Sequence, residues 1–547
     1  MANESTPASR STSSKTLDIT GDRDLGAQVE SKVAEIAPSD EDGPSTLPHE
    51  EPANSPHTSS ETLDLAMDVD LEAQLESGKV DEKTRGPPHG PSTLAHNDPA
   101  HPVNWSKSRK VLVTVVLCVW VLTLTYSSTA YVASIPTLMQ RYHISEEVAL
   151  LGVTFTVFGF SAGPLLFGPA SELYGRRIVY SAAGLCYSAF SFAAAFAPNT
   201  ASLLIFRFFV GFFGSAGMNN VPASIGDYTT LMERGLYSIT YAIMAFGGPS
   251  LGPLVSAFIQ HDAGWHWNFR VMAIFCTVLS IFVAFVPETH GPTLLKWRKA
   301  KAGNAPPPVK LSQIVAVLKV GLSRPLLYLF TEPVVMVVSF YFSILYGILY
   351  GFFEAFTVVY LEIRGFKTTS YGLTYIALGL GFVTAYILLA TIGQQLYVKS
   401  TEESAAKGVP TPPEARLSLT YLGAVMSPIS LFLFAWTAPF PHVHYIVPCI
   451  AEFLFSCSIM LIFTGFVPYL IDCYQMTSAS ALAAGLFSRA LVGSIFPLFT
   501  LQMYHGITVQ GATSLLAGIS LLLAPIPFVF RAYGTTIRGR SKHITAQ

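Results

Sequence analysis

The stretch Gly168-Pro169-Ala170-Ser171-Glu172-Leu173-Tyr174-Gly175-Arg176-Arg177 decides the fold, because it joins two long apolar runs through a short turn that contains two arginines. The turn is too short to form a domain, so the two runs must be neighbouring antiparallel helices. Arginines beside a membrane mark its cytoplasmic side. We therefore expect a helical hairpin in a membrane, with this turn on the inner side.

Composition also indicates a membrane protein. The 547 residues are 51% hydrophobic and only 12% charged, too few charges to cover a soluble globule of this size. Runs of about 20 apolar residues cross a bilayer core of about 30 Å, and they predict twelve spans. The runs lie near 111–132, 149–167, 178–197, 201–221, 236–258, 270–287, 333–356, 371–395, 417–437, 446–468, 478–499 and 511–530. Their continuous apolar character excludes a β-barrel, whose strands alternate.

Basic residues beside the spans set the orientation. With the N-terminus in the cytoplasm, Arg176, Arg177 and most other flanking basic residues face the same side. The basic residues that then face out are Arg141, Arg270, Arg364 and Lys367. The sequence predicts both termini in the cytoplasm, as an even number of spans requires. A net charge of -2 without a basic cluster predicts no nucleic-acid partner.

Polar segments divide the chain into four parts. Residues 1–105 are rich in Ser, Thr, Pro, Asp and Glu and contain a tandem repeat, which predicts a disordered cytoplasmic tail. A six-helix lobe over 106–290, a central cytoplasmic loop over 291–325 and a second six-helix lobe with a short tail over 326–547 follow. Apolar residues at helical spacing near 311–318 predict a short amphipathic helix on the inner leaflet.

This layout predicts an all-α membrane protein whose substrate site lies between two lobes. The chain contains no Gly-x-x-x-x-Gly-Lys-Ser/Thr loop for a nucleotide. The cysteines have no metal-ligand spacing. We therefore expect no enzyme, no cofactor and no metal site, and transport that is secondary.

The Gly-Pro-x-Ser-Glu-x-x-Gly-Arg-Arg form of the opening stretch resembles the loop after the second helix of the major facilitator superfamily, in its fungal twelve-helix drug:proton antiporter branch. Further matches span about 97–541. They include Asn104-Trp105-Ser106-Lys107, Pro287-Glu288-Thr289 and Tyr469-Leu470-Ile471-Asp472. The resemblance implies the major facilitator fold and export of drugs, polyamines or endogenous toxins such as those of cercosporin-type transporters.

The resemblance also assigns roles in the fourth and fifth spans. Arg207 matches an arginine that the family links to proton coupling; alternatively, it binds backbone carbonyls of a neighbouring helix or snorkels. In the fifth span, the predicted antiporter motif consists of Gly248, Pro249, Gly252 and Pro253. Pro253 departs from the usual final glycine, and a purely structural kink explains the motif equally well.

The opening stretch itself predicts an inner gate made of Gly168, Glu172, Gly175, Arg176 and Arg177. An acidic group and paired arginines on a short turn can exchange partners with charges on neighbouring helix ends. In the alternative, Arg176 and Arg177 only anchor the topology. Glu172 separates the two interpretations, because it contributes little to topology.

Buried carboxyls are candidates for proton coupling, since ionisable groups are costly within spans. Glu452 lies about two turns into the tenth span and Glu354 near the outer end of the seventh. Glu354 could instead be an interfacial carboxylate. Arg489, about three turns into the eleventh span, is a further buried charge, and we expect it to pair with Asp472.

Aromatic residues predict the substrate cavity. Its proposed members are Tyr126, Tyr346, Tyr350, Phe353 and Tyr375. Rings with phenolic hydroxyls suit flat amphipathic ligands, although most aromatic residues of the seventh span could also face lipid or core.

The leading hypothesis is a monomeric plasma-membrane exporter that exchanges inward protons for outward amphipathic organic molecules, such as drugs, fungicides or a polyketide-type toxin. Its partners would be that small substrate, protons and the lipid bilayer. A proton-coupled importer or polyamine carrier is the alternative within the same fold. A membrane receptor that transports nothing is the alternative outside it.

Overall fold

The computed structural model of the protein describes residues 98–303, 311–474 and 477–541. Within these ranges all regular secondary structure is helical, as the continuously apolar runs predicted. Residues 1–97, which contain the predicted tandem repeat, lie outside the described residues.

The first six spans are built from eight α-helices. These are α1 (Lys107–Ala130), α2 (Ile135–Tyr142), α3 (Glu146–Tyr174), α4 (Arg176–Ala195), α5 (Thr200–Gly214), α6 (Ala216–Tyr228), α7 (Leu231–Ala263) and α8 (Trp265–Ala284). A 3-10 turn, Val132–Ser134, separates α1 from α2. The central segment contains α9 (Gly291–Lys301) and α10 (Leu311–Thr331).

The second set of spans begins at Pro333, where the seventh apolar run was predicted to begin. Its helices are α11 (Pro333–Phe356), α12 (Thr368–Leu388), α13 (Gln394–Ala406), α14 (Thr420–Ala435), α15 (Ile446–Tyr474), α16 (Ser478–Leu523) and α17 (Ile526–Arg538). The π-helical segments Thr357–Ile363 and Leu389–Gly393 extend α11 and α12.

Twelve segments of the described chain are long and apolar enough to cross a membrane. One of them, Ser478–Arg538, has 61 residues, whereas one crossing needs about 20 to 25. Its backbone leaves helical geometry at Ile507 and Thr508, so it contains spans eleven and twelve.

Another of the twelve apolar segments, Ile314–Thr331, belongs to α10. Gly321 in the middle of α10 packs directly on Pro169, beside the dibasic turn. Helix α10 therefore lies along the ends of the spans, and twelve crossings remain. It is longer than the predicted amphipathic helix near 311–318, because exposed apolar positions continue through Leu322, Leu326 and Phe330.

The spans form two six-helix lobes. In the first lobe α1 packs along α7, α3 along α5 and α4 along α8; in the second, α11 packs along α16 and α15 along both α12 and α14. The lobes meet along two pairs of helices, α3 with α16 and α7 with α12. A ligand between the lobes would therefore have these two helix pairs on either side of it.

Residues 98–105, predicted as the last part of the disordered tail, are ordered. Asn104 Nδ2 donates to the Asp98 carbonyl at 2.8 Å. The Trp105 ring stacks on Tyr228, with centroids 5.9 Å apart, and the Arg109 guanidinium lies 4.2 Å from the Trp105 ring centroid. Composition counts polar residues but does not show that these particular ones have partners. The predicted boundary of the tail at 105 remains a prediction.

Candidate functional site

One carboxylate organises the end of the bundle that carries Arg176 and Arg177, called the basic end below. Glu288 accepts hydrogen bonds from the backbone N–H groups of Arg176 at 3.0 Å and Arg177 at 3.1 Å, at the start of α4. Gly175, just before them, has φ +97°. A Cβ at Gly175 would lie 2.5 Å from Glu288 Oε2, so this approach requires glycine.

The Arg176 side chain contacts residues of its own lobe. Its Nε lies 3.4 Å from Asp227 Oδ2, and its Nη1 donates to the Ser171 hydroxyl. Asp227 also accepts a hydrogen bond from Thr289 Oγ1 at 3.1 Å. The sequence analysis did not identify Asp227 as a partner of Arg176, because single carboxylates are common at the ends of apolar runs and give no sign of what they bind.

Within the described residues, the predicted inner gate makes no ion pair or hydrogen bond with charged residues of the second lobe. Among the described residues, Glu172 forms no ion pair, although the charges of Arg176 and Asp227 act on it. Arg177 Nε donates to a carbonyl of α8 at 3.3 Å. Gly168 lies against Asn219, whose Nδ2 would be 2.8 Å from an added Cβ. The gate remains a prediction about another conformation.

His290 is buried beside the same contacts, outside the spans. Its backbone N–H donates to Glu288 Oε1 at 2.9 Å, and its ring Nδ1 lies 2.9 Å from Thr293 Oγ1. Burial lowers the pKa of His290 to about 3, and the positive charges of Arg176 and Lys296 lower it in the same direction. The ring is therefore neutral at physiological pH.

Charged residues of both lobes approach each other at the basic end. Arg416 Nε pairs with Asp472 Oδ2 at 2.9 Å in the second lobe. The charge of Asp472 and that of Asp227, in the first lobe, both act on Arg234. The predicted pair between Asp472 and Arg489 is therefore wrong, because Asp472 lies at the basic end of α15 whereas Arg489 lies three turns into α16.

Arg207 is buried within the first lobe and bound by main-chain oxygens. Its Nη1 donates to the Ser127 carbonyl at 2.9 Å, its Nη2 to the Ser128 carbonyl at 3.2 Å and its Nε to the Gly152 carbonyl at 3.2 Å. The guanidinium also lies 4.8 Å from the Tyr131 ring centroid. These are the carbonyl contacts of the alternative interpretation, and a part in proton coupling remains a prediction.

The predicted antiporter motif, Gly248, Pro249, Gly252 and Pro253, lies entirely inside α7. Its glycines face α1 at very short range. A Cβ on Gly248 would lie 2.0 Å from Thr125 Oγ1, and one on Gly252 would lie 2.1 Å from Thr129 Oγ1. The motif therefore allows two helices of one lobe to approach closely. Its part in the direction of transport remains a prediction.

A cavity of about 150 Å³ lies between the lobes at the end of the bundle opposite the basic end, called the far end below. Its lining includes Glu146 and Gln260 from the first lobe and Glu354 and Tyr371 from the second. Glu354 is only 2% exposed, and within the described chain it forms no ion pair. The charge of Glu146 acts on it.

Glu452 is also buried, but it is held by a phenol. Tyr360 Oη donates to its Oε1 at 2.6 Å, while its Oε2 is buried without a hydrogen-bond partner in the described structure. A chain of hydroxyls runs from Thr357 to Tyr371 at 3.2 Å and on to Tyr375 at 2.8 Å. The charges of both buried carboxyls act on its two tyrosines.

The structure brings together four of the five predicted cavity aromatics. The ring centroids of Tyr346 and Tyr350 are 5.0 Å apart, those of Tyr350 and Phe353 5.6 Å, and those of Phe353 and Tyr375 5.9 Å. Tyr126 instead packs on a phenylalanine of α8, with centroids 5.8 Å apart. Tyr346, Tyr350, Phe353 and Tyr375, called the aromatic wall below, thus belong to the second lobe.

Arg489 extends this wall towards the first lobe. Its guanidinium carbon lies 5.5 Å from the Tyr346 ring centroid, 5.2 Å from that of Phe463 and 6.0 Å from that of Phe246, which belongs to α7. The sequence indicated a buried charge at Arg489 but not which side chains face it.

Residues 115–497 match the model of the Major Facilitator Superfamily. The chain belongs to the major facilitator superfamily. That family assignment agrees with the two lobes, the contacts of the dibasic turn and the close packing of α7 on α1. It confirms the family that the motifs indicated.

Relatives in this superfamily are fungal proteins named as efflux pumps or multidrug transporters. The chain is 39% identical to efflux pump FUBT of Fusarium oxysporum over 450 residues, which cover 80% of this chain and 74% of that protein. It is 36% identical to the multidrug transporter mdrA of Aspergillus fumigatus, with 81% and 74% covered. It is 34% identical to the multidrug transporter FLU1 of Candida albicans, again with 81% and 74% covered.

Among solved structures, the proton:xylose symporter XylE of the same superfamily has a similar fold. The TM-score is 0.57 at 14% sequence identity, and the match covers 79% of this chain and 97% of XylE. Family and relatives together make this chain a multi-pass membrane transporter and not an enzyme.

Proposed function

We propose that this transporter exports amphipathic organic molecules across the plasma membrane in exchange for protons, as a monomer with both termini in the cytoplasm. The fungal relatives named as efflux pumps and multidrug transporters support export. The basic end, with Arg176, Arg177 and Arg416, then faces the cytoplasm, in keeping with the excess of basic residues on the inner side of membrane proteins. The far end faces out.

The observation that carries the proton coupling is Glu354 in the far-end cavity. A charged carboxylate that is almost fully buried without a cation costs several kcal/mol, so this group gains from binding a proton. The cavity contains residues of both lobes, and a change in the distance between the lobes changes what surrounds Glu354. Proton binding and lobe movement are thereby linked.

Glu452 is the second proton site of the proposal. Tyr360 donates to it at 2.6 Å, and the Tyr371 and Tyr375 hydroxyls, 2.8 Å apart, lie within electrostatic range of both buried carboxyls. A phenol can donate and accept at once. In this proposal the hydroxyl chain relays a proton between the two buried carboxyls of the second lobe, Glu354 and Glu452.

The other predicted residues support the cycle around these sites. Arg207 binds the carbonyls of Ser127 and Ser128 near the end of α1. The glycines of α7 allow α1 to pack closely against α7. The inner gate closes the basic end in the outward-facing state, when Glu172 pairs with a cation at the end of a neighbouring helix. The aromatic wall receives the substrate.

The direct test is growth of a yeast that lacks its own efflux pumps and expresses this chain, on a panel of fungicides, polyamines and polyketide toxins. The proposal expects resistance to amphipathic compounds and lower cellular accumulation of them. Sensitisation would overturn export in favour of import. Unchanged growth and accumulation throughout the panel, with the protein at the cell surface, would overturn transport of this substrate class.

A further inference from the structure

We infer that Arg489 forms a binding site for an organic anion, so that the substrate of this transporter is a flat aromatic or apolar molecule with a carboxylate or sulfonate group. The inference rests on the proposed export function and names its substrate class. Polyamines and other cations are then disfavoured as substrates.

Arg489 lies deep in the second lobe. It lies 11 residues after Ser478, the first residue of α16, which at 1.5 Å per residue places it roughly 16 Å into the bundle. The bilayer core is about 30 Å thick, so the guanidinium lies near the middle of the membrane. A guanidinium stays charged in proteins, and a charge at this depth is costly without a partner.

No such partner is present in the described part of the chain. Arg489 forms no ion pair or hydrogen bond there, and its Nε is buried without an acceptor. The groups on which its charge acts are phenols, namely those of Tyr241, Tyr346 and Tyr350. Among the described residues, its surroundings therefore contain aromatic rings and hydroxyls but no compensating negative charge.

Other arginines of the bundle show how this chain usually satisfies the group. Arg207 donates to three carbonyls, Arg364 to four, and Arg416 pairs with Asp472. Arg234 and Arg270 also have an unpaired Nε, but they lie near the starts of α7 and α8, where lipid headgroups and water are close. Arg489 is half-buried and combines a position deep in the bundle with a buried Nε that has no acceptor among the described residues.

The rings around Arg489 define the rest of the ligand. Phe463 and Tyr346 of the second lobe and Phe246 of the first surround the guanidinium at 5.2, 5.5 and 6.0 Å. A carboxylate or sulfonate would accept two parallel hydrogen bonds from the guanidinium, while a flat body would stack between the rings. Since the rings come from both lobes, the bound anion would also affect how the lobes close.

The test uses two rigid probes with the same ring and opposite permanent charge, naphthalene-2-sulfonate and 2-naphthyltrimethylammonium. Neither titrates, so neither follows a pH gradient passively. Binding to the purified full-length transporter is measured by calorimetry without any gradient, for the wild type, Arg489→Ala and Arg489→Lys. Arg531→Ala is the matched control, because it removes an exposed guanidinium that also lies over a tyrosine ring, at 5.4 Å.

The expected result is that the wild type and Arg531→Ala bind the sulfonate and prefer it to the cation. Arg489→Ala should weaken sulfonate binding by about 30-fold or more, as for one partner of a buried charge pair, and Arg489→Lys should fall between. If Arg489→Ala does not fold, Arg489→Lys decides, because a lysine offers one ammonium and no planar fork.

Equal binding of the sulfonate by the wild type and the folded Arg489 variants would overturn the inference. A wild type that binds the cation better, or neither probe at millimolar concentration, would overturn it as well. Binding is measured separately from transport. Tight sulfonate binding without proton-driven flux would refute the proposed exchange and leave the anion site standing, whereas export of cations only would refute the anion site and leave the exchange standing.

Discussion

The hydroxyl of Tyr350 lies 3.1 Å from the hydroxyl of Ser128 and forms a hydrogen bond between the two lobes. The carbonyl of the same serine accepts a hydrogen bond from Arg207 at 3.2 Å, and the Tyr350 ring contacts Tyr346 beside Arg489. A short series of contacts thus joins the buried arginine of the first lobe to the aromatic wall of the second.

Tyr350→Phe removes the hydrogen bond between the lobes and should favour conformations in which the far end is open. One buried hydrogen bond is worth about 1 kcal/mol, or about a fivefold change in population. A cysteine placed at Thr137, which lines the far-end cavity, should then react about five times faster with an impermeant thiol reagent. Tyr375→Phe, which removes a hydrogen bond to Tyr371 inside one lobe, is the control. Equal acceleration by both variants would contradict the role of Ser128.

Arg207→Lys should lower the thermal stability of the transporter by several degrees. The three donors of an ammonium lie on one nitrogen and cannot reach the three carbonyls that Nε, Nη1 and Nη2 of the planar guanidinium bind, and each buried acceptor without a donor costs about 1 to 3 kcal/mol. Unfolding in detergent measures the effect, with Arg270→Lys near a helix end as the control. An unchanged unfolding temperature combined with complete loss of transport would contradict the structural account and favour direct coupling.

The predictions from sequence succeeded where local pattern decides the structure. The seventh span begins at Pro333, as predicted, because a proline is favoured at the first position of a helix. It continues beyond the predicted end at 356, through the π-helical segment Thr357–Ile363. The break near Ile507 falls between the predicted runs that end at 499 and begin at 511.

Partners across helices could not be predicted in this way. Arg416 and Asp472 meet because the basic ends of two spans lie side by side, and periodicity does not show which faces touch. Asp227 and Glu288 are ordinary end-of-span carboxylates in the sequence, yet both bind the dibasic turn. The same limit concealed the aromatic surroundings of Arg489.

Glu172→Gln tests the inner gate. Glu172 has no ion pair among the described residues, so the substitution should leave this conformation intact and weaken only a state in which the basic end is closed. The expected shift is about 1 to 3 kcal/mol, as for typical coupling energies, seen as faster thiol labelling from the basic end. Asp227→Asn, which removes the partner of Arg176, should lower stability instead. Unchanged labelling and transport in Glu172→Gln would leave the turn as a structural hairpin.

His290 should make the folded protein sensitive to acid. Its folded pKa of about 3 lies below the value of about 6.5 for an unfolded chain. Between these two pH values the unfolded state binds more protons than the folded state, so the stability of the fold decreases as the pH is lowered. Lowering the pH from 7.5 to 5.5 should cost about 1.4 kcal/mol through this residue. His290→Asn should lose less stability than the wild type over that interval in unfolding experiments. Identical losses would show that the ring is protonated in the folded state.

The central claim is that protons drive export through Glu354, and flux in proteoliposomes tests it most directly. The wild type, Glu354→Gln and Glu452→Gln are compared under an imposed pH gradient, with a compound to which expressing yeast is resistant. We predict that a proton gradient concentrates this compound through the wild type and that Glu354→Gln only equilibrates it, because glutamine cannot bind the proton whose entry drives export. Glu452→Gln, which can still accept the hydrogen bond from Tyr360, should retain part of the response. Undiminished, pH-dependent accumulation by Glu354→Gln would contradict the account.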